Sequence, residues 1–228
     1  MTQRALLLPG SAGLDGNDDY RQLFSDLREE AIGRGFEVAV VNYPGQELLK
    51  ADVLTFDGAC SATAVAAKKF EPTWLVARSF GCQVLLAVLG APGVLTCEGA
   101  VLWGPCTAAG YQRQWPDERT RIEAAEKYAT QRRTRISETI FISPSLEELI
   151  QGARVNLRLC RGAEDSLNST PEEIDFLKRL HMTAQPSFVC ERREINGVGH
   201  SVFKDRVSPA TWRDHCAALF TPFAVSES

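Results

Sequence analysis

The sequence predicts an α/β protein, a mainly parallel sheet with helices on both faces, and three observations lead there. Short apolar or β-branched runs alternate with helix-patterned stretches along the whole chain, which is the pattern of strands joined by helical crossovers. Glycine and proline close those short runs at Pro9-Gly10, Pro44-Gly45 and Gly104-Pro105, as turns require. The 228 residues are 44% apolar and 24% charged. That balance suits one large core and leaves out disorder, collagen and coiled coil.

Taken in order, Ala5 to Leu8 is a short apolar strand. Tyr20 to Ile32 sets Leu23, Leu27, Ala31 and Ile32 on one helical face, and Gly33 and Gly35 mark its end. Phe36 to Val41 is a strand, stopped at Tyr43-Pro44-Gly45. Ser61 to Phe70 is helical, with Ser61 as its cap. Trp74 to Ala77 is a strand, and Cys82 to Leu89 is a helix so apolar that it must be covered on nearly all sides. Gly99 to Trp103 is the next strand.

From about 107 to 151 the pattern changes. Pro116 to Tyr128 is a charged helix, Arg132, Arg133 and Arg135 follow it, and Ser145 to Ile150 is a short second helix. This stretch has too few large apolar residues for a core of its own. It is expected to be a helical cap inserted into one domain spanning 1–228, its charge run a solvated face. Strands resume at Val155 to Leu159 and Pro186 to Cys190, with a helix starting at Pro171 between them. A last helix runs from about Pro209 to Phe220, with Ser208 or Thr211 as cap.

A net charge of −4 provides no broad positive field, so a nucleic-acid partner is not expected. The longest apolar runs, such as Val84 to Leu89, stop far short of the roughly 20 residues a bilayer span needs. Met1-Thr2-Gln3-Arg4 leads straight into the first strand rather than a secretory signal. Seven scattered cysteines with no C-x-x-C pair argue against a disulfide framework and a structural zinc site. The expected location is the cytoplasm.

In a parallel sheet, ligands sit beyond the carboxyl ends of the strands. The turn after Trp74 to Val76 reads Ala77-Arg78-Ser79-Phe80-Gly81 and opens directly into a helix. A serine between small residues at such a turn can adopt a strained backbone and present its hydroxyl above the sheet. Serine needs a base, and only His181, His200 and His215 exist. His181 ends a helix and His215 lies inside one, so each reads as a surface or packing residue. His200, in Gly197-Val198-Gly199-His200-Ser201, has flanking glycines that let its loop turn back over the sheet. A carboxylate must hold that histidine, and Asp165 is the choice, with Glu164 in reserve. The chain order Ser79, Asp165, His200, each after its own strand, fits a known template. Backbone N–H groups of Phe80 and Ser11 are the expected oxyanion donors.

These motifs resemble those of the α/β-hydrolase fold over almost the whole chain. Leu8-Pro9-Gly10-Ser11 is similar to the family's His-Gly oxyanion loop, with Pro9 in place of His. Asn42-Tyr43-Pro44-Gly45-Gln46 resembles the Pro-Gly turn after the next strand. Ala77 to Gly81 resembles the nucleophile elbow, with Ala77 where Gly is usual. Gly162 to Asp165 resembles the acid turn, Gly197 to His200 the histidine loop, and the segment at about 107–151 lies where the family inserts its cap. A start at the oxyanion-loop strand resembles a compact version without the first hairpin.

The resemblance implies a serine hydrolase acting on a small ester or thioester through an acyl-enzyme at Ser79, without cofactor or metal. An acyltransferase in a biosynthetic pathway, a cofactor-free perhydrolase and a non-catalytic binding protein that kept the fold are the alternatives. Trp103, Tyr111 and Trp115 either line an apolar acyl or aromatic pocket or pack the cap. Arg78 is expected to pair with Asp15, Asp18 or Asp19 and so fix the oxyanion loop. No exposed apolar lid is evident, so action at large lipid interfaces is not expected.

Overall fold

Among the described residues, six strands form one parallel sheet in the order β2-β1-β3-β4-β5-β6. They are β1 (Gln3–Leu8), β2 (Phe36–Val40), β3 (Trp74–Arg78), β4 (Gly99–Trp103), β5 (Asn156–Gly162) and β6 (Cys190–Ile195). The structure, a computed structural model, describes residues 2–11, 18–46, 52–91, 97–131, 134–142, 146–168 and 190–223, together with 93, 95 and 144. The predicted helix from Pro171, His181 and most of the predicted strand from Pro186 lie outside the described residues.

Strand alternation sorts the apolar side chains into two cores. Leu6, Leu8, Leu75, Ala77, Ala100, Leu102, Leu157 and Leu159 point to one face, and Ala5, Leu7, Trp74, Val76, Val101 and Trp103 to the other. On the first face lie α2 (Phe56–Phe70) and α3 (Phe80–Gly90), and on the second lie α1 (Asp18–Gly33) and α7 (Pro209–Phe220). Each fully buried leucine in these layers contributes about 1.5–3 kcal/mol relative to leaving it exposed. Helix α3 buries all of Phe80 to Leu86, as its composition demands.

Several boundaries move. The helix expected from Ser61 starts a turn earlier, at Phe56, because Thr55 is the cap and accepts from the Gly58 N–H at 3.0 Å. In α1, Phe24 is buried while Ile32 is 51% exposed, so the apolar face is centred one position away from the expected one. β5 extends through Gly162 because it pairs with β6 as far as Ile195. Ser208 caps α7, accepting from Thr211 N–H at 3.1 Å. Between β4 and β5 come α4 (Ala108–Gln114), α5 (Glu118–Gln131), a 3-10 turn (Glu138–Ile142) and α6 (Leu146–Gly152). Helix α5 has no fully buried residue and only rests Ala124, Ala125 and Tyr128 against the core on the α2 and α3 face, whereas Ile140, Phe141, Leu146 and Ile150 are buried in it. No helix among the described residues is long and apolar enough to cross a membrane.

Arg158, buried in β5, ties the C-terminal end of α7 to the sheet. It pairs with Glu191 at 2.7 Å and donates to the carbonyls of Ala218 and Thr221 at 3.0 and 2.7 Å. His215 does the opposite kind of work. It is fully buried in α7 against Trp103 and Trp212, and neither ring nitrogen has a partner among the described residues. Burial, helped by the charge of Arg78, pulls it down to about 3. The unfolded chain therefore takes up a proton that the folded one refuses as pH falls from about 6.5 toward 3, and stability drops through that window. His215→Phe is expected to remove this loss. At pH 4 it should leave the protein more stable than wild type by about 3 kcal/mol, and denaturant melts at pH 7 and pH 4 will read the difference.

Candidate active site

β3 ends at Arg78 and α3 begins at Phe80, so Ser79 alone makes the turn. Its backbone sits at φ 52 and ψ −124. A non-glycine residue held there stores about 1–3 kcal/mol of strain, which persists only when the surroundings over-determine it. The surroundings do so here. Ser79 N–H donates to the Trp103 carbonyl at 2.9 Å. A Cβ at position 81 would stand 2.5 Å from the Pro9 carbonyl oxygen, so only glycine lets the elbow press against the loop after β1. The Ser79 hydroxyl makes no helix-capping bond and lies 3.5 Å from the Cys106 thiol.

After β5 the chain turns at Ala163 and Glu164 and presents Asp165, which is almost fully buried. His200 Nδ1 lies 3.2 and 3.1 Å from its two carboxylate oxygens. Glu164 is exposed, and its N–H is bonded to the Val198 carbonyl at 3.0 Å, so it braces the histidine loop with its backbone. Two glycines permit the meeting. A Cβ on Gly162 would stand 2.2 Å from the Val198 carbonyl oxygen, and one on Gly104 would press on the His200 ring at 3.1 Å. Burial works against the Asp165 charge, yet the hydrogen bond and charge of His200, the Leu167 N–H and Arg161 together hold its carboxyl below the ordinary range. Burial also lowers His200, and Arg78 adds to that, while Asp165 opposes both. The balance favours the neutral imidazole. Its Nε2 is buried and makes no hydrogen bond among the described residues.

Phe80 opens α3, where first-turn N–H groups have no acceptor within the helix. The loop after β1 is pinned by the buried Gln46, whose Nε2 donates to the Gly10 carbonyl at 3.1 Å. Ser11 follows, its hydroxyl 3.4 Å from Tyr128. Ser11, Ser79 and His200 open onto one cavity of about 440 Å³. That cavity lies beyond the carboxyl ends of β1 and β3, between which the strand order reverses, the position expected of a ligand site.

No protein-family model and no curated protein matches the sequence. Solved structures do. A lipase in its open form aligns with a TM-score of 0.69 at 12% identity, over 96% of this chain and 89% of its own. An esterase from Exiguobacterium antarcticum aligns at 0.63 and 13% identity, over 95% and 91%. The esterase domain of a Rhodothermus marinus protein aligns at 0.59 and 16% identity, over 87% and 78%. The chain has the α/β-hydrolase fold.

Within this α/β-hydrolase fold, two of the three expected aromatic residues line the cavity and one does not. Tyr111 and Trp115 line it, with Trp115 stacked on Phe141 at 4.3 Å and Tyr111 hydroxyl 3.3 Å from Gln83 Oε1. Trp103 is a correction. It ends β4 on the α7 face, buried against His215, because alternation turns it away from the site.

Arg78 is the second correction. The expected pairing with an acid near the oxyanion loop does not form at the described positions. Asp19 pairs with Arg206 at 2.7 Å and Asp18 lies 4.0 Å from Arg21, while Asp15 lies outside the described residues. Arg78 instead donates to the Ser201 hydroxyl and lies between the rings of Tyr20 and Trp103, at 4.8 and 5.4 Å. An ion taken out of water loses several kcal/mol of solvation, and each aromatic face returns only about 0.5–2 kcal/mol. Sequence reasoning also missed Cys106, Tyr20 and Tyr128 at the site. The only signal for Cys106 was its position just after a strand end, and the two tyrosines reach the cavity from helices whose approach the sequence does not specify.

Proposed function

We propose that the protein is a serine hydrolase that cleaves a small ester or thioester through an acyl-enzyme at Ser79. The observation that carries this reading is the buried Asp165 carboxylate on His200 Nδ1, in a cavity that also receives a serine at a strained strand-to-helix turn. With Nδ1–H bound to the carboxylate, Nε2 is the free base. Ser79 and His200 line the same cavity, and the reading requires the Ser79 hydroxyl to leave Cys106 for that nitrogen.

In the first step the Ser79 Oγ–acyl carbon bond forms and the acyl carbon–oxygen or carbon–sulfur bond breaks. The serine proton passes to His200 Nε2 and on to the departing alcohol or thiol. Water then gives a proton to the same nitrogen as its oxygen bonds to the acyl carbon. The acyl carbon–Oγ bond breaks, and that proton passes from Nε2 to Oγ, releasing the acid and restoring Ser79. The Ser11 and Phe80 N–H groups are the donors assigned to the oxygen that becomes negative, and losing one such donor typically costs about 3 kcal/mol. The helices between β4 and β5 act as the cap, with Tyr111 and Trp115 against the substrate. Likeness to esterases and a lipase favours ester cleavage among the chemistries this fold can host.

The test is labelling with a fluorophosphonate probe, alongside an acyl-chain-length panel of p-nitrophenyl esters and acyl thioesters. Wild type is expected to be labelled at Ser79 and to turn over members of the panel. Absence of labelling and turnover would leave a non-catalytic protein with this fold.

A further inference from the structure

We propose that Arg78 is a carboxylate-binding residue of the cavity, so that the ester cleaved at Ser79 carries a carboxylate of its own. The ester part of this statement rests on the hydrolase reading, and the carboxylate site does not.

Three arginines are buried among the described residues, and their surroundings differ. Arg158 has Glu191 at 2.7 Å and three main-chain carbonyls. Arg161 has Glu194 at 3.8 Å and the Gly162 and Ala163 carbonyls. Arg78 is 3% exposed and has neither a carboxylate nor a carbonyl among the described residues. One neutral hydroxyl and two aromatic faces are its partners, and its Nε is buried with no acceptor. An arginine cannot relieve this by losing its proton. A rigid fork of N–H donors with one hydroxyl bond filled matches a carboxylate in charge and in shape.

The cation also lies where a substrate passes. Arg78 lines the cavity together with Ser79 and His200. The point a Cβ on Gly10 would occupy is 3.0 Å from Arg78 Nη1 and 3.2 Å from Ser79 Cβ, so the guanidinium and the nucleophile flank the same space, which glycine leaves open. No Asp or Glu is found among the described residues that line the cavity, and Lys127 stands exposed on its wall. Among the described lining residues, Arg78 and Lys127 present a substrate anion with positive charge alone. A carboxylate seated on Arg78 also screens the charge that helps to lower His200. The acid limb of kcat with a carboxylate ester is then expected at higher pH than that of kcat/KM.

The test compares the p-nitrophenyl monoester of glutarate with p-nitrophenyl pentanoate, matched in chain length, on wild type, Arg78→Met and Arg78→Lys. Wild type is expected to favour the anionic ester by tenfold or more in kcat/KM. Arg78→Met should lower that preference at least tenfold, with Arg78→Lys in between, and glutarate should inhibit wild type at least tenfold more strongly than Arg78→Met. An equal loss for the two esters, or an unchanged preference, would overturn the proposal and leave Arg78 as a prop for the Ser201 loop. If neither ester is cleaved and Ser79 is not labelled, the hydrolase reading has failed. Calorimetric titration of glutarate into wild type and Arg78→Lys then decides the carboxylate site, which falls if wild type does not bind glutarate or binds it no better than the lysine variant. The same titration decides the case if Arg78→Met does not fold.

Discussion

Ser79→Ala is expected to lower kcat on any ester the protein cleaves by roughly 10⁵- to 10⁶-fold, close to the loss seen when a hydrolase of this mechanism loses its nucleophile. The fold should survive, because alanine keeps the Cβ and the same strained backbone while the hydroxyl makes only a 3.5 Å contact to a thiol. A circular-dichroism melt within a few degrees of wild type would separate lost chemistry from lost structure. The residual rate should still exceed that in water if Ser11 and Phe80 N–H groups are the oxyanion donors proposed, since both remain in place. Ser79→Gly supplies the complementary reading. It removes the nucleophile and also relaxes φ 52, so it should melt above Ser79→Ala by about 1 kcal/mol or more. Steady-state rates for Ser79→Ala within tenfold of wild type would show that the nucleophile lies elsewhere.

The architecture was legible because it rests on patterns that repeat. Short apolar runs alternating with helix-patterned stretches, and the near-continuous apolar run of α3, predict a sheet covered on two faces before any contact is known. Glycines were legible as turns but not as clearances. The sequence alone does not say that Gly81 lets the elbow touch the Pro9 carbonyl, or that Gly162 lets the histidine loop cross the acid turn at van der Waals range. Charged residues were the least legible. Arg78 stands four positions after a tryptophan, at the end of a strand of five and three places before Gly81, and charge alone argued for a nearby acid. Its actual neighbours, Tyr20, Trp103 and Ser201, come from three separate elements. Trp103 was misread for the same reason. Sequence locates it at a strand end, but only the direction of the pleat assigns it to the α7 side.

Asp165→Asn should be the second largest loss, about 10⁴-fold in kcat, although the substitution changes only one atom of the acid. The carboxylate is buried and accepts from His200 Nδ1 through its two oxygens and from Leu167 N–H at 2.9 Å. An asparagine in that place can turn its NH₂ toward Nδ1, which puts the imidazole proton on Nε2, where it blocks acceptance from Ser79. Glu164 cannot substitute, since its side chain is exposed and its backbone is held to Val198. Glu164→Gln is accordingly expected to change kcat less than threefold. The pH profile supplies a sign as well as a size. Asp165 raises His200 against the lowering by burial and Arg78, so removing its charge should move the acid limb of the remaining activity to lower pH. Stability responds separately. The Asp165 carboxyl is held below its unfolded value, so its contribution is present at neutral pH and fades as pH falls through the carboxylate range. The wild-type advantage over Asp165→Asn in chemical denaturation should therefore shrink on acidification. A kcat loss below tenfold, or an acid limb that moves upward, would mean that His200 draws its tautomer from some other group.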